Sequence, residues 1–167
     1  MDPSSSDQLE QLCSQLSGVS GLIHLAPLRL ASEKWSNESG SSNQITLAAH
    51  SFFGLLKGLD SQLSSGTGVV ASVTALDGRH GNHGERFNSL ACAASGITKS
   101  YSFEQANIRC RAYDLHQELI LDSESTAALL VDDLFTLGGE VEIGIDKNRQ
   151  RWTLVCFAED LLEKRKP

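Results

Sequence analysis

The chain has 167 residues, 40% of them hydrophobic and 21% charged, which suits one domain with its own core. Fourteen Lys and Arg against 21 Asp and Glu leave a net charge of -7. With no basic stripe, a surface that tracks nucleic-acid phosphates is excluded, and the one basic run, Lys164-Arg165-Lys166, reads as a solvated tail. No apolar run approaches the ~18 residues of a membrane span, and the first residues lack the basic and apolar regions of a secretory signal. A cytoplasmic protein is expected, with residues 1–7 and 163–167 as disordered tails.

Leu9, Leu12, Cys13 and Leu16 recur at helical spacing and predict a short amphipathic helix. Residues 22–26 form an apolar run ended by Pro27, a buried strand, and residues 32–43, rich in Ser, Asn and Glu, read as a surface loop. Residues 44–63 carry Ile45, Ala48, Phe52, Leu55, Leu56, Leu59 and Leu63 on one stripe, the strongest helix of the chain. Residues 69–73 predict a second buried strand. The glycine-rich stretch 77–86 predicts a loop, and a helix with Leu90, Ala94, Ile97 and Tyr101 on one face follows it. Residues 108–113 alternate as a strand with one wetter face. Asp122 or Ser123 can cap a helix through Ala127, Leu130, Val131, Leu134 and Leu137, stopped by Gly138-Gly139. Residues 141–145, a turn at 146–149 and residues 151–155 predict two closing strands, with room for a terminal helix through Leu161 and Leu162.

Strands alternating with helices in this way predict an α/β fold, a truncated, doubly wound, mostly parallel sheet with helices on both faces, in a single domain over 1–167. Such a fold invites a search for G-x-G-x-x-G between a first strand and its helix, where glycines let the backbone approach a pyrophosphate. Nothing before residue 66 fits, and Gly66-Thr67-Gly68 precedes a strand instead of following one. The phosphate-binding loop of nucleotide triphosphatases is absent too. The first strand follows a single helix, as though an initial strand-helix-strand unit were missing from a fragment of a larger polypeptide.

Residues 21–28 (GLIHLAPL), 70–82 (VASVTALDGRHGN), 96–100 (GITKS), 108–115 (IRCRAYDL), 140–144 (EVEIG) and 151–154 (RWTL) occur in an order and spacing that resembles the short-chain dehydrogenase superfamily. The resemblance is closest to the ketoreductase regions of type I polyketide synthases and polyunsaturated fatty acid synthases. It covers about four fifths of the chain and implies a Rossmann-like fold. Those regions pair a catalytic subdomain that binds NADPH with a truncated structural subdomain that binds no nucleotide. Active members use a Ser that orients the carbonyl, a Tyr thirteen residues on that donates the proton, and a Lys four residues later that tunes the phenol and holds the ribose. Anchored on Gly96-Ile97-Thr98, the resemblance places these three at Thr74, Phe87 and Ala91. Only the hydroxyl survives: Phe87 has no proton to give and Ala91 no charge to tune one. Tyr101 has Gln105 in place of a Lys four residues on, and its position on the apolar stripe assigns it to packing.

The resemblance therefore implies a non-catalytic structural subdomain supporting 3-oxoacyl-carrier-protein ketoreduction. It would have no catalytic, cofactor-binding or metal-binding residue of its own, and NADPH would belong to the neighbouring catalytic subdomain. The alternative is part of an active NADPH-dependent ketoreductase completed by another segment or chain. Expected partners are the catalytic subdomain and other synthase domains. Related reductases form dimers through the helices matching 44–63 and 88–104, so a homodimer stays open beside burial of the long helix within the fold.

His80 and His83 with Asp77 form the best metal-like cluster, but the spacing fixes no third strong ligand, and a solvated loop is expected. His24 and His50, flanked by apolar residues, are expected to be buried, neutral and hydrogen-bonded; His116 is expected to be exposed. Cys13, Cys92, Cys110 and Cys156 form no C-x-x-C pair and read as buried, reduced thiols. No Gly-x-Ser-x-Gly elbow exists.

Overall fold

The computed structural model describes residues 5–31, 39–82, 89–136 and 139–156. The first helix, α1 (Ser6–Gln15), starts where the Ser5 hydroxyl accepts from the Gln8 amide and buries Leu9 and Cys13. Strand β1 (Gly21–His24) leads into a short helix, α2 (Ala26–Ala31), then α3 (Ser39–Leu63) and β2 (Val69–Thr74). A 3-10 turn (Ser89–Cys92) precedes α4 (Ala93–Glu104), which feeds β3 (Arg109–Leu115). After a second 3-10 turn (Gln117–Leu121) come α5 (Ser123–Phe135), β4 (Glu142–Ile145) and β5 (Arg151–Trp152).

Four expected boundaries move. The strand predicted over 22–26 stops at His24, and Pro27 opens α2 rather than breaking the chain. A proline in the first turn removes an amide that would have no intrahelical partner. The loop predicted over 32–43 is already helical from Ser39. The Asp122 cap is as predicted, its Oδ1 accepting from the Ser125 amide, but α5 stops at Phe135, short of Leu137 and the glycines. The last strand is only Arg151–Trp152. The proposed terminal helix, Leu137, Gly138 and the tail 163–167 lie outside the described residues.

The five strands lie in chain order, β1-β2-β3-β4-β5. The first four run parallel and β5 returns antiparallel on β4. Side chains alternate between two apolar layers. One joins Phe52, Leu56, Leu59 and Leu63 of α3 to Val70, Ala94, Tyr101 and Cys110. The other joins Ala71, Val73, Tyr113 and Ile143 to Leu134, with Leu129 and Leu130, of α5. Helices therefore cover both faces, as the near-continuous apolar strands require. All three crossovers step the same way across the sheet, yet α3 and α4 lie on one face and α5 on the other. The third crossover thus has the opposite hand to the first two, an arrangement that α/β folds rarely adopt. Outside this layer, α1 rests on α3 where Gly54 and Gly58 leave room: a Cβ there would meet Leu9 Cδ1 at 2.9 Å or collide with Cys13 Sγ.

At the amino-terminal edge of the strands the end of α5 is anchored by cations, which suit a helix C-terminus. Arg109 Nη1 donates to the Leu134 carbonyl at 3.1 Å, and Arg151 Nε pairs with Asp133 at 2.9 Å. The Tyr113 hydroxyl donates to the other Asp133 oxygen at 2.8 Å.

Candidate functional site

In open α/β sheets ligands bind outside the carboxyl ends of the strands. Here that rim is formed by His24, Thr74, Leu115 and Ile145, the last residues of β1 to β4. Among the residues singled out from sequence, Thr74, Asp77 and His80 lie there.

Thr74 is fully buried. Its hydroxyl donates to the Tyr113 carbonyl at 3.0 Å and lies 3.4 Å from Asp114 Oδ1, so it stitches β2 to β3. Ala91 is buried in the 3-10 turn ahead of α4. Phe87, His83 and the rest of 83–88 lie outside the described residues. Tyr101 is core, as expected, and its hydroxyl donates to Asp60 Oδ1 of α3 at 2.7 Å. Burial, reinforced by Asp60, holds this phenol far above its ordinary value and protonated.

The described part of the stretch expected to be a solvated loop, residues 77–82, is instead packed onto the rim up to Gly81. Ala75, Leu76 and Asp77 are all less than 5% exposed. Asp114, at the end of β3, accepts from the Leu76 amide at 2.7 Å through Oδ1 and from the His80 amide at 2.8 Å through Oδ2. Asp77 Oδ1 accepts from the amides of Arg79 and Gly81, both at 2.8 Å. Gly78, at φ +73°, lies against the Ile145 carbonyl, and its own carbonyl fills the space beside Gly144; a Cβ at either glycine would collide with main chain. Gly144 is the register partner of Asp114. Further along, Arg79 pairs with Asp146 at 3.0 Å and lies 3.9 Å over the Trp152 ring of β5. The segment thus runs from the end of β2 past the ends of β3 and β4 to β5.

The electrostatics follow from that burial. Desolvation pushes the Asp114 carboxyl up to about 6, against the two amides that favour its charge, and the neighbouring Asp77 pushes it the same way. Burial lowers the His80 imidazole, opposed by Glu142 and Asp77, and raises the half-buried Cys92 thiol, with Asp114 adding to the effect. Asp146 behaves oppositely: burial would raise it, but Arg79, the Trp152 indole and the amides of Asn148 and Gln150 together bring it down to about 2.

The histidine expectations are corrected at two of three positions. His24 is buried, stacked on Phe52 at 4.4 Å and lowered by burial to about 4, but its Nε2 has no hydrogen-bond partner. His50 is exposed on α3. His116 is buried, because its Nδ1 accepts the Glu118 amide at the start of the second 3-10 turn. Cys13 and Cys110 are buried as expected, whereas Cys92 is half-buried and Cys156 exposed. Among the described residues no three of His, Cys, Asp or Glu converge to hold a metal ion, and no helix is long and apolar enough to cross a membrane. Asp114 and Asp146 are the rim residues that sequence reasoning passed over. A signal was present at Asp114: an acid inside a buried strand must find partners.

No family model matches the chain and no curated protein matches it. Two solved structures share its fold. One is the adenylation, ketoreductase and pseudo-Asub multidomain structure of a keto acid-selecting NRPS module, with a TM-score of 0.72 and 15% identity over 99% of this chain. The chain spans only 14% of that module. The other is a short-chain dehydrogenase/reductase from Vibrio parahaemolyticus, with a TM-score of 0.53 and 20% identity, covering 84% of this chain and 72% of that one. The mostly parallel five-stranded sheet is thus Rossmann-like in fold, as in that dehydrogenase.

Proposed function

Taking a short-chain-dehydrogenase-like fold as the premise, we propose that this chain is a non-catalytic structural subdomain. It supports 3-oxoacyl-carrier-protein ketoreduction in a polyketide or polyunsaturated fatty acid synthase. The observation that carries the reading is the rim: the segment 75–82 covers the carboxyl ends of β3 and β4 and is fixed there by Asp77 and Asp114. Thr74, at the position of the family's carbonyl-orienting Ser, spends its hydroxyl inside the sheet. Ala91, at the Lys position, is buried and uncharged. NADPH and the proton donor belong, on this reading, to a neighbouring catalytic subdomain.

The neighbour assembles on the outer side of α3 and α4. There a groove of about 570 Å3 opens between the helices, lined by Phe53, Leu56, Lys57 and Asp60 on one side and Ile97 and Ser100 on the other. Phe53 is 58% exposed, and an apolar groove with a polar rim suits packing against the helices of a partner subdomain or of a second copy. The multidomain setting of the module sharing this fold supports such partners.

The test combines this chain with the adjoining catalytic segment and follows NADPH oxidation with a 3-ketoacyl thioester. The chain alone is inactive; its addition raises the thermal midpoint and the turnover of the catalytic segment, and Thr74→Ala leaves that turnover unchanged. Turnover by the chain alone, or its loss in Thr74→Ala with the midpoint unaltered, supports the competing reading of an active reductase completed by another segment.

A further inference from the structure

We propose that the outer edge of β1 is a self-pairing surface, on which β1 of a second copy of this chain adds antiparallel about a two-fold axis at Ile23. Among the described residues β1 is the first strand of the sheet and pairs on one side only, with β2. The Val69 amide donates to the Ser20 carbonyl, and in a parallel ladder alternate residues bond to the same neighbour. Ser20, Leu22 and His24 therefore turn their main chain towards β2, while Gly21, Ile23 and Leu25 turn theirs outwards. The register agrees, since Gly21 and Ile23 stand opposite Val69 and Ala71. Gly21 is exposed, and Ile23 and Leu25 are 50% and 51% exposed, so the side chains along this edge lie open.

The two edges of the sheet are built differently. Edge strands are ordinarily protected by shortness or by charge. Strand β5 has both: it is two residues long, and its Arg151 pairs with Asp133. Strand β1 has no charged residue and no proline, and no Asp, Glu, Lys or Arg occurs from Gly18 to Leu28. In a chain of net charge -7, a second copy approaches such a neutral stretch with the least repulsion. The stretch is also complementary to itself. With the axis at Ile23, the outward main-chain groups of the two Ile23 residues meet, and Leu25 of each copy falls opposite Gly21 of the other. Ile23 shares the sheet face of its register neighbour Ala71, in the layer that includes Leu134 of α5. The two isoleucines then cover each other on that face, and each leucine lies beside a glycine that offers no side chain to oppose it. Moving the axis to Leu25 would set Ile23 against Pro27, which has no amide to give.

The contact is small. About five residues a side meet, where a standard interface engages about 20 to 30, so the dissociation constant is on the order of 100 µM. The edge is separate from the groove between α3 and α4, which no residue of β1 lines. Sedimentation equilibrium of the full chain tests the proposal over a range of about 10 µM to 1 mM. The weight-average mass is expected to rise from near 18.0 kDa towards twice that value. Ile23→Lys, which sets two ammonium groups opposite each other at a half-exposed position, is expected to weaken association at least about tenfold. Phe53→Asp, in the groove, leaves it unchanged. A constant mass across the range, association of unaltered strength in Ile23→Lys, or its loss in Phe53→Asp overturns the proposal. Should Ile23→Lys not fold, amide hydrogen exchange of the unmodified chain decides, with Val73 and Ala112 as references in the sheet. Protection at Ile23 and Leu25 that grows about fourfold over the same range supports edge pairing, and unchanged protection contradicts it. These readouts involve neither nucleotide nor a catalytic subdomain, so their outcome is distinct from that of the structural role proposed above.

Discussion

The two ends of the same helical layer are stabilised by different physics. Between α3, α4 and the sheet, Phe52, Leu59 and Leu63 are 0–1% exposed and interlock with Val70 and Cys110, so that layer holds by area and fit. At the carboxyl rim, area gives way to Asp77, Asp114 and Asp146, each satisfying several donors, Asp77 within its own segment and the other two across separate ones. The apolar layer tolerates a change of shape within limits of volume; the rim depends on individual acceptors and on pH.

The largest contrast comes from one deletion in each region. Phe52→Ala removes a fully buried ring stacked on His24 and should cost about 4 kcal/mol, read as a lower denaturant midpoint with unchanged slope. Asp114→Ala, which strands the Leu76 and His80 amides, should cost about 2 to 3 kcal/mol at pH 5. That cost should shrink at pH 7.5, where burial of the ionised Asp114 already weakens the unmodified chain. The Phe52 cost should be the same at both values, so equal pH dependence would erase the contrast.

A second difference sharpens the rim itself. Asp146, held down to about 2 by Arg79, Trp152 and two amides against the effect of burial, stabilises the fold above the ordinary value of 3.8. That contribution is lost as pH falls through about 2, the opposite direction to Asp114. Acid denaturation followed by tryptophan fluorescence should begin at higher pH in Arg79→Met than in the unmodified chain. The smallest effect is expected at Thr74→Val, about 1 kcal/mol for one hydrogen bond to the Tyr113 carbonyl. A far larger loss would mean that the hydroxyl does more than join two strands.

The same contrast explains what the sequence revealed. The stripe along 44–63 repeats every turn, so the helix and its buried face were legible from local spacing alone, as was the parallel sheet from apolar strands between helices. The Asp122 cap was legible because a cap acts on its own next turn. The rim was not. Asp77, Gly78 and Gly81 have the composition of a solvated turn, and what makes them a packed strap is Asp114, remote in sequence on β3. His50 and His116 were misplaced for a related reason: histidine's amphipathic ring carries no periodic signature, and its neighbours in sequence did not report its neighbours in space. Pro27 was read as a stop because a proline that ends a strand and one that opens a helix look alike until the next turn is seen.

The central claim is that the rim is closed by the chain itself and serves no nucleotide. It is tested most directly by titrating NADPH into the isolated chain and following calorimetric heat with the nicotinamide fluorescence. No saturable binding is expected at concentrations up to about 1 mM, a range that reaches past the affinities typical of enzyme substrates. Saturable binding at micromolar concentration, abolished by Thr74→Ala, would contradict it.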